Sequence, residues 1–175
     1  MSQLPPLEGL AIRAMSAADV AAVLRLEQET PAAPHWSAAA YEACAGEQTG
    51  RLRYFGLVAE AGAEIAGFAV VRQLVVESRS GLETENECEL ESIVVAAGLR
   101  RRGVASRLME TVVAEASARD AGRLTLEVRE SNLAAIALYA RAGFRADGRR
   151  PAYYVDPVED AVLMSVALKG QGKVM

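Results

Sequence analysis

Ser92-Ile93-Val94-Val95-Ala96-Ala97-Gly98-Leu99-Arg100-Arg101-Arg102-Gly103-Val104-Ala105-Ser106-Arg107-Leu108-Met109 is the stretch that decides the fold. It opens on an apolar strand over residues 92–95 and turns through Gly98. It then enters a helical pattern in which Val104, Leu108, Val112 and Ala116 recur every fourth residue, with Met109 and Val113 beside them. A strand thus feeds a basic, glycine-bearing loop, and the loop feeds a helix. The first turn of a helix has free N–H groups and a positive dipole end, which suit a phosphate. Gly103 lets the backbone come close, Ala105 is small, and Arg100, Arg101 and Arg102 supply charge for more than one phosphate. The alternative is a solvated basic turn at an ordinary strand–helix junction. The spacing fits neither Gly-x-x-x-x-Gly-Lys-Ser/Thr nor Gly-x-Gly-x-x-Gly.

Upstream, residues 87–95 read as an odd strand. Glu87, Glu89 and Glu91 alternate with Cys88, Leu90 and Ser92, but from Ile93 onward both faces are apolar. Such a change points to a bulge, or to a strand leaving a wet edge for a buried centre. Like charges in a row repel, so the glutamates mark either a solvated strand end or a pocket wall that prefers a cation. A polar loop, residues 78–85, precedes this strand. Residues 51–59 and 64–76 form a hairpin turned by Ala61-Gly62-Ala63. Ser16-Ala17-Ala18-Asp19 has the form of a capping box opening a helix through Val20, Val23, Leu24 and Glu27. Pro31 and Pro34 stop that helix, and Ser37 caps another that carries Tyr41. A short first strand, residues 10–13, follows a loose tail over residues 1–9.

Downstream, Ala121-Gly122 reads as the C-cap of the long helix. Residues 124–128 form a strand, apolar except at Thr125 and Glu127. Ser131-Asn132 caps a helix over residues 133–142, which Gly143 ends. Phe144 opens a strand, Tyr153-Tyr154 follows a proline, and residues 160–168 form the last strand before a polar tail over 169–175. The order of elements predicts one mixed α+β domain over residues 10–168.

Composition sets limits. A chain of 175 residues, 51% apolar and 24% charged, has the size and make-up of one soluble domain with a full core. No apolar run is long enough for a membrane span, and Met1-Ser2-Gln3-Leu4-Pro5-Pro6 has no secretory pattern, so a cytoplasmic protein is expected. A net charge of −4 argues against general nucleic-acid binding. Cys44 and Cys88 suit no metal spacing and read as reduced thiols, and no metal is expected.

Arg100, Gly103 and Ala105 fit the pattern Gln/Arg-x-x-Gly-x-Gly/Ala, and the loop resembles the pyrophosphate loop of the GNAT acetyltransferases. The remainder agrees in one continuous signature: Leu126-Glu127-Val128-Arg129, Ser131-Asn132, Ala134-Ala135-Ile136-Ala137-Leu138-Tyr139, then Gly143-Phe144. Tyr153-Tyr154 with Glu159-Asp160-Ala161-Val162-Leu163-Met164, and Trp36-Ser37 near the start, extend it. The pattern is similar to that of the bacterial ribosomal-protein-alanine N-acetyltransferases, a GNAT branch, and is dense from residue 89 to 168. The resemblance implies a GNAT fold: a twisted, mostly antiparallel sheet of about six to seven strands with about four helices.

It also implies acetyl-CoA as co-substrate, with the pyrophosphate on the loop amides of Arg101, Arg102, Gly103, Val104, Ala105 and Ser106. The pantetheine arm would pair with the backbone of Ile93, Val94 and Val95 like an added strand, and Asn132 matches a cofactor-contacting position. The acceptor is implied to be a protein or peptide N-terminus.

The chemistry asks for one base and one acid. An α-amine of pKa about 7.7–8 must lose a proton. The leaving thiolate, of pKa about 8.5, must gain one. Glu127 matches the family's base, with Glu89 and Glu91 as rivals, and Tyr139 matches its acid. The bland alternatives are a Glu127 that faces solvent or pairs with Arg129, and a half-buried core Tyr139. Tyr153, Tyr154 and Trp36 would line the peptide slot, and lone His35 is structural. The chain departs from the branch at Arg100 (usually Gln), Ala105 (usually Gly), Ala152 (commonly Asn) and in the Glu87, Glu89, Glu91 row. Two further readings remain: a lysine or small-amine acetyltransferase, and a non-catalytic acyl-CoA-binding module. Both a monomer and a homodimer fit.

Overall fold

The computed structural model describes residues 7–76 and 86–168; the loop expected over 78–85 and most of both tails lie outside them. Seven strands form one sheet: β1 (Leu10–Ala14), β2 (Leu52–Ala61), β3 (Glu64–Leu74), β4 (Asn86–Val95), β5 (Ala121–Arg129), β6 (Arg145–Val155) and β7 (Val158–Ala167). Their spatial order is β1-β2-β3-β4-β5-β7-β6. All neighbours are antiparallel except β4 and β5, which run parallel. The helices are α1 (Val20–Gln28), α2 (Ala38–Ala45), α3 (Val104–Ala118) and α4 (Leu133–Arg141). This is the mixed α+β domain that the order of elements predicts, with the mostly antiparallel sheet that the resemblance implies.

Local chemistry explains the helix starts. Asp19 accepts from the Ser16 backbone N–H at 2.8 Å, closing the expected capping box on a 3-10 turn that leads into α1. Ser37 accepts from the Ala40 N–H at the start of α2, and Asn132 does the same for Ala135 at α4. The expected cap of α3 is wrong. Ala121 and Gly122 already belong to β5, and Asp120 makes the reversal with φ of 57°. A short polar side chain tolerates that left-handed turn, so the glycine is free to begin the strand.

Two apolar clusters sit on opposite faces of the sheet. One gathers Leu108, Met109 and Val112 of α3 against Leu90, Leu124 and Leu126. The other gathers Val20, Val23, Tyr41, Phe68 and Val94 beneath α1 and α2. In β4 the face assignment flips. Cys88 and Leu90 point to the α3 side, whereas beyond Ser92 it is Ile93 and Val95 that do, and Val94 points the other way. The cause is a bulge: Val70 pairs with Ser92 and Val71 with Leu90, leaving Glu91 as the extra residue. One inserted residue exchanges the two faces of a strand, which is the change of pattern seen in the sequence.

Candidate active site

The parallel ladder between β4 and β5 ends at Leu90↔Leu126. Beyond it the strands part, and a cleft of about 1050 Å³ opens between them. Ile93, Val94 and Val95 line one wall, still paired to β3 on their far side through Ala69, Phe68 and Gly67. Gly67 makes that pairing possible, since a Cβ there would lie 2.6 Å from the Val94 carbonyl oxygen. Glu127, Val128 and Arg129 of β5 line the opposite wall.

The loop from Arg101 to Ser106 also lines the cleft. Gly103 is the N-cap of α3, with φ of 86°, and offers no side chain to the helix amides. The N-cap residue thus gives the first-turn N–H groups of α3 no side-chain cap, and the cleft reaches them at Val104, Ala105 and Ser106. Arg101 also adopts a left-handed backbone, φ 64°, which curls the loop around that point. An uncapped helix start beside a splayed strand edge fits a pyrophosphate carrying an amide-bearing arm. Arg141 of α4 lines the same cleft, a basic residue the sequence reading passed over. Asn132 borders it too, with its side-chain oxygen engaged at the α4 cap.

Glu127 and Tyr139, the sequence candidates for proton transfer, line the same cleft. Glu127 is recessed, its side chain 15% exposed, and Arg150 Nη1 forms an ion pair with its Oε1 at 2.7 Å. The nearby Glu127 carboxylate is the leading cause holding the Tyr153 phenol above its ordinary value. Arg129, the partner in the bland alternative, instead pairs with Glu159 at 3.3 Å and lies 4.1 Å over the Tyr154 ring. Tyr139 lines the cleft from α4 while its ring is buried beside Phe144. Burial, with Tyr154 adding to it, pushes its phenol above the usual tyrosine value, so it carries its proton throughout the neutral range.

The remaining sequence candidates divide. Tyr153 and Tyr154 line the cleft, packed edge to face at 5.2 Å. Glu89 and Glu91 border it as well, but Arg72 of β3 bridges both, so the acidic row is partly neutralised. Trp36 does not line the cleft. Its ring packs on Tyr41 and Tyr54 at 5.8 and 5.9 Å and borders a separate hollow of about 390 Å³. The wall expected of Trp36 is made by residues 30–34. Glu27 holds that segment: wholly buried, it accepts from the Trp36 N–H at 2.9 Å and the Tyr41 hydroxyl at 2.5 Å. His35 is exposed.

Fold and cleft together are those of a transferase that takes its acyl group from a coenzyme A thioester. Residues 20–144 match the acetyltransferase (GNAT) family, and the chain belongs to it. It is an acetyl-CoA-dependent N-acetyltransferase. The chain is 34% identical over 159 residues to the [ribosomal protein bS18]-alanine N-acetyltransferase of Salmonella typhimurium, across 90% of this chain and 97% of that one. The crystal structure of the ribosomal-protein-S18-alanine N-acetyltransferase from Escherichia coli superposes with a TM-score of 0.73 at 31% identity, covering 95% of this chain and 98% of that one. Arabidopsis thaliana NAA60 in complex with acetyl-CoA shares the fold, with a TM-score of 0.75 at 18% identity over 90% and 98% of the two chains. No helix among the described residues is long and apolar enough to cross a membrane.

Proposed function

We propose that the protein acetylates the free α-amino group of a protein N-terminus, with the N-terminal alanine of a ribosomal protein in the cytoplasm as acceptor. The observation that carries the chemistry is the convergence of a recessed carboxylate, Glu127, and a protonated buried phenol, Tyr139, on the cleft where β4 and β5 part. The choice of acceptor rests on the named activity of the Salmonella typhimurium relative.

Acetyl-CoA supplies an activated acetyl thioester. The loop amides of residues 101–106 and the arginines around them bind its phosphates, and the open edge of residues 93–95 orients the arm that carries the thioester. Glu127 takes the proton from the acceptor ammonium, which frees the amine lone pair for attack. Tyr139 gives its proton to the sulfur as the C–S bond breaks, and the phenolate takes up the second proton that the nitrogen sheds on forming the amide. Tyr153, Tyr154 and residues 30–34 flank the acceptor's path.

The test is CoA release with peptides bearing free N-terminal Ala, Ser or Met, a blocked peptide with an internal lysine, and a polyamine. Turnover is expected only with free N-termini, Ala foremost; turnover confined to lysine or polyamine would replace the acceptor. Glu127→Gln is expected to lower kcat by about 10²-fold or more while leaving acetyl-CoA affinity near wild type. Unchanged turnover in that variant removes Glu127 as the base.

A further inference from the structure

We infer that Arg150 is a tethered competitor of the acceptor: its guanidinium occupies the place beside Glu127 that an acceptor ammonium takes, and the acceptor enters by displacing it. This rests on the reading of Glu127 as the base. Glu127 is recessed, whereas the Arg150 side chain is 56% exposed, so the cation meets the carboxylate from the open side. An arriving ammonium therefore finds a like charge already seated on its target.

The backbone aims Arg150 there. Arg150 pairs with Ala161 and Tyr154 with Glu159, so four steps along β6 span only two along β7. The surplus bulges outward, with Ala152 in the left-handed region at φ 50° and its N–H held by Asp160 Oδ1 at 2.9 Å. Bulges beside functional sites redirect side chains, and both partners of Glu127, Arg150 and Tyr153, flank this one. The guanidinium already lies 5.6 Å from the centre of the Tyr153 ring, a face on which it can rest when displaced. A half-exposed pair binds weakly, so the competitor is easily moved and its effect falls on acceptor affinity.

The test compares wild type, Arg150→Ala, Arg150→Lys, Glu127→Gln and the Glu127→Gln/Arg150→Ala double variant. Steady-state kinetics use a peptide with a free N-terminal alanine at saturating acetyl-CoA, and calorimetry measures peptide affinity with CoA bound. Arg150→Ala is expected to lower the peptide KM about fivefold with kcat changed less than twofold, the most that an exposed pair would release. Arg150→Lys, still cationic, keeps a KM near wild type. In the Glu127→Gln background, removing Arg150 no longer tightens peptide binding. A raised or unchanged KM in Arg150→Ala, or a lowered kcat, overturns the inference, because the arginine would then support catalysis or only the fold. Normal turnover by Glu127→Gln alone instead sinks the base assignment, so the two failures are told apart.

Discussion

Tyr139 keeps its proton because its ring is buried, 6% exposed, and an anionic phenolate there would lose its hydration. A raised value means that the donor form persists to higher pH than in a free phenol. Any alkaline fall in kcat/KM caused by Tyr139 should lie above the ordinary tyrosine value of about 10. Comparing pH–rate profiles of wild type and Tyr139→Phe checks this. A fall between about pH 8 and 10 that vanishes in the Phe variant would contradict it. Glu27 is a second carboxylate with another task, fixing the segment that walls the cleft through Trp36 and Tyr41. Tyr41→Phe removes one donor from a buried carboxylate and should cost about 1–3 kcal/mol of stability, read as a lower urea midpoint. An unmoved midpoint would show that Glu27 does not need this bond.

The entry to α1 carries a pH dependence of its own. Arg13 donates to both carboxylate oxygens of Asp19, and these bonds hold the Asp19 carboxyl well below the usual range. With a depressed folded value, the stabilisation is complete above the unfolded value of about 3.9 and is lost as pH falls below it. Asp19→Asn should cost about 1–2 kcal/mol at neutral pH, with the gap closing on acidification below about pH 4. Denaturation midpoints across that range decide it, and a gap that widens in acid would refute it. At β3, Gly67→Ala should push β4 away and weaken acetyl-CoA binding, because the new Cβ would meet the Val94 carbonyl. How legible each element was depended on the range of its cause. The bulge at Glu91 showed in the sequence because an alternation broke within one strand. The cap at Asp120 was misread because glycine is the usual choice there, and the direction of Trp36 is written in no spacing. Arg150 stayed hidden for a topological reason: it reaches Glu127 across β7, so the pairing needs the registers of two ladders at once.

On the scale of the whole molecule, the chain is two antiparallel units, β1–β4 and β5–β7, whose sheet is joined by the parallel ladder from Asn86↔Ala121 to Leu90↔Leu126. Acetyl-CoA that bridges the parted strands should stabilise the protein by about 2.7 kcal/mol at a hundredfold excess over Kd, with amide exchange slowed at residues 93–95 and 104–106. Slowing confined to other regions would place the coenzyme elsewhere. That short ladder also has a mechanical meaning. Pulled apart across the sheet, the empty protein should yield first at this seam, where the backbone stitches run out halfway along β4. A molecule seated in the gap would act as the missing stitches, so that the same cut in the cloth serves as binding site when open and as reinforcement when filled.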